Sequence, residues 1–220
     1  MSAKTKSDGL NDTKRALLEA GIKLMRVRGY SATTVDDICA EAKVTKGGFF
    51  HYFKSKEDIA REAAAYFTAE KSKEIMGAAF RKLPDPLARI YGRLEFVQDY
   101  FRSAKQMNRG CLVGAFAQET ALTYPHLKEA CRLAFTEWTK DFEVDLAEAK
   151  ALYAPKADFE PVKIARLYLS IFQGSLIMAK TEDDTDALIE NITEFRRYLI
   201  SLMGEGTVRD QKQMKTAGKA

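Results

Sequence analysis

The stretch from Thr34 to Lys56, TVDDICAEAKVTKGGFFHYFKSK, constrains this chain more than any other. Thr34 stands three residues before Asp37, the spacing of a reciprocal N-terminal cap. Val35, Ile38 and Cys39 then give a short helix over 34–41 one apolar side. Ala42, Lys43 and Val44 leave room only for a tight turn before a second short helix over 45–52. Ser55 with Asp58 repeats the capping spacing and opens a long third helix. Two short helices joined by such a turn predict a helix-turn-helix, whose second helix enters the major groove of DNA.

The residue types in that second helix suit the task. Thr45 and Lys46 open it with a hydroxyl and a cation, and Gly47 and Gly48 leave a face without bulk, so that backbone can approach a duplex. Two glycines inside a short helix cost about 1 kcal/mol each relative to alanine, so they ask for a reason. Phe49 and Phe53, one turn apart, are expected to anchor the helix in a small core, which turns Phe50, His51 and Tyr52 wholly or partly outward. Outward aromatic and imidazole groups can meet thymine methyls and phosphate oxygens. The helix starts at Thr34 and Lys56 offer free backbone N–H groups, with Thr33, Thr34, Lys54 and Lys56 as side-chain donors to phosphate. Thr34 and Ser55 can equally be plain caps, and the two roles are compatible.

Helical periodicity governs the rest of the chain, and no alternating strand pattern stands out. Leu17, Ala20, Gly21, Leu24 and Met25 stripe a helix over 12–28, which Gly29 ends. The long helix from Lys56 runs through Ile59, Ala63 and Phe67 to about 81, and its first part is expected to close the small core. Leu83-Pro84-Asp85-Pro86 is a break. Further helices are predicted over 86–101, 112–122, 125–150, 161–179 and 185–203. The fold class is all-α, with about nine helices. A three-helix helix-turn-helix domain covers 1–56, a C-terminal helical bundle covers 57–204, and a polar, disordered tail covers 205–220.

Charge follows the same division. Residues 1–56 hold 11 lysines and arginines against 6 acids, whereas the remainder holds 24 against 25. The excess positive charge at the front would draw a polyanion through counterion release, although a solvated basic face has the same composition. Cys39, Cys111 and Cys131 form no disulfide framework, and His51 and His126 stand far apart, so neither a metal site nor a catalytic triad is expected. No phosphate-binding G-x-x-x-x-G-K loop is present, and no catalytic residue or cofactor is assigned. No stretch is expected to reach the roughly 20 apolar residues of a membrane span, and the polar start lacks a secretory segment, so the expected location is the cytoplasm.

The residues Gly29-Tyr30-Ser-Ala-Thr-Thr34-Val35, Ile38-Cys39-Ala-Glu-Ala-Lys43-Val44 and Thr45-Lys46-Gly47-Gly48-Phe49-Phe50-His51-Tyr52-Phe53-Lys54-Ser55-Lys56-Glu57 resemble the N-terminal signature of the TetR family of transcriptional regulators. Lys43 stands where that signature has glycine in the turn, and Phe50 where tyrosine is commoner. The resemblance implies a homodimer that binds a palindromic DNA operator and represses transcription until an effector releases it. It assigns the last two helices, through Ile164, Leu167, Tyr168 and Ile171, and Leu188, Ile192, Phe195, Leu199 and Leu202, to the dimer interface. The alternative is that these residues serve the protomer's own core.

The same resemblance implies a pocket for an unknown small molecule among the central helices. Phe96, Tyr100, Cys111, Phe116, Phe135, Trp138 and Phe172 are candidate lining residues, each of which could instead be core. Cys111 is expected at a helix N-terminus beside Arg109, where a thiolate is stabilised. The Gly110-Cys111-Leu112 segment is similar to that of relatives of the N-ethylmaleimide repressor, which implies a sensor of electrophiles or oxidants; a small packing residue is the alternative. The competing whole-chain reading is a helical, ligand- or redox-responsive protein that does not bind DNA.

Overall fold

The computed structural model describes residues 11–103 and 110–204, and among these it contains nine α-helices and no strand. They are α1 (Asp12–Arg28), α2 (Val35–Ala42), α3 (Lys46–Tyr52), α4 (Lys56–Gly77), α5 (Pro86–Ser103), α6 (Leu112–Thr120), α7 (Pro125–Tyr153), α8 (Pro161–Glu182) and α9 (Asp186–Met203). The expected tail over 205–220 and Arg109 lie outside the described residues. Packing divides the chain into two compact units. One takes the chain up to Ala69 together with Cys111–Arg132, and the other begins at Glu70 and resumes at Leu133. The units therefore do not follow the division after residue 56 expected from sequence, because α6 packs on α1.

In the first unit the apolar stripe of α1 (Leu17, Leu18, Leu24 and Met25) is buried with Ile38, Phe49, Phe53, Ile59, Ala60, Ala63 and Ala64. A Cβ added to Gly21 would lie 3.5 Å from the Ile59 side chain, so α1 and α4 approach closely at that glycine. The caps are those read from sequence at Thr34, whose hydroxyl oxygen accepts the Asp37 N–H at 3.1 Å while Asp37 accepts the Thr34 N–H at 2.9 Å. At the start of α4 the pattern is different. Ser55 Oγ accepts the Asp58 N–H at 3.1 Å, but Asp58 returns to the N–H of Lys54 rather than of Ser55.

In the second unit α4 stops at Gly77, short of the expected end near 81. Ala78 is extended, and Ala79–Lys82 form a 3-10 turn that swings Phe80 inward until it is buried. A Cβ on Gly92 would stand 2.5 Å from Phe80 Cβ, so Phe80 fits only because α5 has glycine there. Pairing of α8 and α9 uses Ile164, Ala165, Leu176 and Ala179 against Leu188, Ile192, Phe195 and Leu199, all buried within one protomer. Contrary to the expectation that no stretch approaches a membrane span, α8 is long and apolar enough by length and composition. Its apolar content is divided between that packed side and Leu167, Ile177 and Met178, which are exposed.

A ladder of charge joins the 3-10 turn and α5 to α7. Arg81 pairs with Asp145 at 2.6 Å and Asp141 at 3.0 Å, Arg89 pairs with Asp145 at 2.7 Å and with Glu148, and Arg93 pairs with Asp141. The Asp145 side chain is 1% exposed. A carboxylate so buried is tolerable because two guanidinium groups face it; stripping it of both would leave a buried charge uncompensated, at a cost of about 3–5 kcal/mol.

Candidate nucleic-acid interface

The orientation of α3 follows from its two phenylalanines. Phe49 and Phe53 are completely or almost completely buried, and burial of each contributes about 1.5–3 kcal/mol. With that side fixed inward, Lys46, Phe50 and His51 face solvent, Tyr52 is half-buried, and Phe50 retains 56% of its surface exposed. Phe50 rests edge-on against Phe49 at 5.2 Å between ring centres, and His51 against Tyr52 at 4.7 Å, so the outward row is held rather than floppy. Thr45 caps the helix, its hydroxyl oxygen accepting the Gly48 N–H at 3.1 Å.

The two glycines have different reasons to be there. A Cβ at Gly47 would meet nothing closer than Thr45 Oγ1 at 3.9 Å, so its face is open, as expected for close approach of DNA. A Cβ at Gly48 would stand 2.7 Å from Val44 Cγ1. Gly48 is therefore required by packing of α3 on its own turn, a constraint that the sequence did not suggest. The turn itself is made by Lys43 in the left-handed conformation, φ 56° and ψ 39°, with its N–H on Cys39 and Ala40 carbonyls. Here a lysine adopts the backbone geometry that favours glycine.

The charges on this face are partly spoken for. Lys46 Nζ lies 2.8 Å from Asp36 Oδ1, both side chains being 65% exposed, and the Asp36 carboxylate raises the lysine's pKa. Thr33, expected to donate to phosphate, is fully buried, and its hydroxyl donates to the Gly29 carbonyl at 2.8 Å, so it is withdrawn from the contact set. Thr34 Oγ1 donates to Asp37 Oδ2 at 2.7 Å, and these bonds hold the Asp37 carboxyl below its ordinary pKa. Lys54 remains exposed. Lys56 instead directs its ammonium to the carbonyls of Tyr30 at 3.0 Å and Ser31 at 3.4 Å, above the Tyr30 ring.

The same turn is gripped from its other side by Glu119 of α6, whose two oxygens accept the N–H groups of Tyr30 and Ser31, each at 2.7 Å. Gly29, with φ 87°, passes so close that a Cβ would lie 2.9 Å from Glu119 Oε2. Burial opposes the charge on Glu119, but the bonds from Ser31 and Tyr30 and the nearby Lys56 outweigh it and hold the carboxyl below its ordinary range. Sequence reasoning missed Glu119 and Asp36, because nothing local marks either acid as the partner of a distant group.

The residues expected to line a ligand pocket divide between the two units. Phe116 is buried in the first unit against Tyr30, and Cys111 caps α6, its sulfur accepting the Gly114 N–H at 3.4 Å. Cys39 and Cys131 are buried, and burial, with the nearby Cys111 adding to it, pushes the Cys131 thiol up to about 11. Phe96 packs on Phe80, Tyr100 lies under the Lys71 ammonium, and Phe172 packs between Phe101 and Tyr168. Phe135 lies against Trp138, and Trp138 borders a cavity of about 350 Å³ within the second unit. The other walls are Ser72, Ile75 and Met76 of α4, Arg93 of α5, and Glu137, Lys140, Asp141 and Val144 of α7. Polar and aliphatic residues spread over three helices give no contiguous signal in the sequence.

A short, outward-facing helix on a helix-turn-helix scaffold defines a DNA-binding regulator rather than an enzyme. Residues 17–63 match the model for bacterial regulatory proteins of the tetR family, and residues 86–193 match the C-terminal domain of LmrA/YxaF-like transcriptional regulators. The chain is 26% identical over 182 residues to the HTH-type transcriptional repressor DhaR of Mycobacterium sp. strain GP1, covering 82% of this chain and 88% of that protein. It is 26% identical to the regulatory protein TetR from Rhodobacter sphaeroides, whose crystal structure superposes with a TM-score of 0.76 over 85% of this chain and 98% of the other. Reduced NemR of E. coli, at 20% identity, shares the fold with a TM-score of 0.75 over 85% and 96% of the two chains. The protein belongs to the TetR family and is a DNA-binding transcriptional regulator.

Proposed function

We infer that the protein is a bacterial, cytoplasmic repressor that binds a palindromic operator as a homodimer and leaves it when a small molecule occupies the second unit. The observation that carries this reading is the outward presentation of α3 by the buried pair Phe49 and Phe53. Thr45, Lys46, Gly47, Phe50, His51, Tyr52 and Lys54 are the proposed contacts. Thr34 contributes at most through the α2 N-terminus, and Lys56 acts by holding the preceding turn. Two recognition helices related by a two-fold axis would read half-sites about 10 base pairs apart, or a little more.

Support for the dimer comes from α8, where Leu167 and Met178 stay exposed on a line that passes through Gly174. Tyr198 of α9 is exposed as well. The sequence-derived interface set is therefore divided: Ile164, Leu188, Ile192, Phe195 and Leu199 serve the protomer core, and Leu167 remains for a second copy. Selection of bound duplexes from random DNA tests the whole reading. The expected product is a palindrome, bound with an affinity that falls steeply with salt; failure to retain any duplex at low ionic strength would overturn it. Sedimentation of Met178→Glu is expected to give a monomer where the wild type gives a dimer.

An electrophile is a second candidate for the releasing signal, favoured by the position of Cys111 at the start of α6 with its sulfur on a backbone N–H. Release of DNA by N-ethylmaleimide that persists in Cys111→Ser would remove this thiol from the mechanism.

A further inference from the structure

The turn between α1 and α2 is held from two sides. Glu119 of α6 takes the N–H groups of Tyr30 and Ser31, and the Lys56 ammonium at the start of α4 takes the carbonyls of the same two residues. The Tyr30 ring meets Phe116 of α6 and Tyr124 of the α6–α7 connection edge-on, at 6.1 and 5.1 Å between ring centres. Apolar contacts of that kind tolerate sliding, whereas hydrogen bonds weaken steeply when bent. The two bonds to Glu119 therefore supply the direction in this joint.

Little slack separates this grip from the reading helix. Thr33 is fully buried with its hydroxyl on the Gly29 carbonyl, Thr34 caps α2, and Lys43 closes the turn into α3. Gly21 of α1 lies against the Ile38 and Ile59 side chains, so α1, α2 and α4 share one core, and close-packed side chains transmit a displacement rather than absorb it. On the other side of the grip, α6 runs into α7 through a connection in which the Thr120 carbonyl accepts the N–H groups of Thr123 and Tyr124. The Cys131 thiol of α7 rests on the Val113 carbonyl of α6 at 3.6 Å. Both α4 and α7 begin in the first unit and continue unbroken into the second. The chain itself joins α4 to the reading helices; α7 reaches them through α6, where Glu119 makes the directional contact.

We propose that Glu119 is a positioning residue for operator binding: by fixing α6 on the turn over 29–34 it sets the aim of α3, and so the half-site separation that two copies accept. This rests on the homodimer reading above. Neighbouring base pairs are about 3.4 Å apart along the axis and turned by about 35°, so a recognition helix must be held to a fraction of that step to favour one spacing. Total affinity is a poor readout, because Glu119→Gln also removes a negative charge that repels phosphate. Glu119→Asp keeps the charge but is one methylene short of the two N–H groups. Spacing preference is the property that a merely stabilising bond would not move.

The test uses the full chain and the duplex that the wild type selects from random DNA, remade with one base pair inserted or removed between its half-sites. Fluorescence anisotropy gives the affinity of each protein for each duplex. The wild type is expected to prefer its selected spacing by about tenfold or more, the scale of one mismatched base pair. Glu119→Asp and Glu119→Gln should reduce that preference to about threefold or less while their far-UV circular dichroism stays that of the wild type, and either variant that folds decides the matter. Lys150→Ala, which loses a bond to the Phe159 carbonyl at 2.6 Å in the second unit, controls for lost stability alone and should keep the full preference. The proposal is overturned if a folded Glu119 variant keeps the wild-type preference, if Lys150→Ala relaxes it equally, or if the wild type accepts every spacing alike. Selection of no palindrome at all would instead remove the homodimer reading, and this inference with it.

Discussion

The Glu119 carboxylate accepts the backbone N–H of Tyr30 at 2.7 Å, joining α6 to the turn between α1 and α2. Its other oxygen takes Ser31, and Lys56 takes the two carbonyls of the same residues. Donors and acceptors of this turn are thus fixed by an acid and a base from different helices. The turn, in turn, leads straight into α2 and so sets where α3 is presented.

Glu119→Gln should therefore lower stability by about 1 kcal/mol at neutral pH, because bonds to a charged acceptor are the stronger kind and partial exposure tempers them. Folding holds this carboxyl below its ordinary value of 4.5. Its contribution is then complete above that pH and disappears as pH falls through the lower folded value. Thermal unfolding of the two proteins across pH 3–7 should show a gap that closes at the acid end; a gap of constant size would mean that the charge is not what matters.

Lys43 holds a left-handed backbone without being glycine. Such a conformation costs a side-chain-bearing residue about 1–2 kcal/mol, part of which glycine gives back through greater freedom in the unfolded chain. Lys43→Gly is expected to raise the denaturation midpoint by an amount equivalent to about 0.5–1 kcal/mol. Urea titration checks it, and a lower midpoint would contradict the account.

The glycine pair in α3 should split. Gly47→Ala adds a methyl to open space and gains helix propensity, about 1 kcal/mol in favour of folding. Gly48→Ala drives a methyl into Val44 and should cost about 1–3 kcal/mol before the same gain is counted. Equal effects in calorimetry would show that the Val44 contact yields easily.

Lys46 and Asp36 make an exposed pair that competes with phosphate for the same ammonium. Lys46→Ala should weaken operator binding and reduce the salt slope by about one. Asp36→Asn removes both the competitor and a repelling charge, and is expected to tighten binding severalfold at low salt. Fluorescence anisotropy with one labelled duplex measures both.

The helices and their caps were legible because periodicity and N-terminal chemistry are local properties: Thr34 with Asp37, Thr45 and the Pro86, Pro125 and Pro161 starts all fall within a residue of their expected places. What escaped is long-range. Thr33 reads as a donor until its side chain is seen to be buried with its hydroxyl on the Gly29 carbonyl. The premature end of α4 depends on Gly92, a dozen residues onward, making room for Phe80. Likewise the cavity is assembled from α4, α5 and α7, whose residues stand far apart in sequence.

The paired charges of α5 and α7 also act as a key. Oily surfaces can slide past one another with little change in energy, but Asp141, Asp145 and Glu148 must each stay opposite Arg81, Arg89 and Arg93. Slipping α7 by a single residue would rotate all three acids by about 100° and strand them together. Any rearrangement that a bound molecule provokes there is thereby confined to rigid tilting or to whole-turn steps.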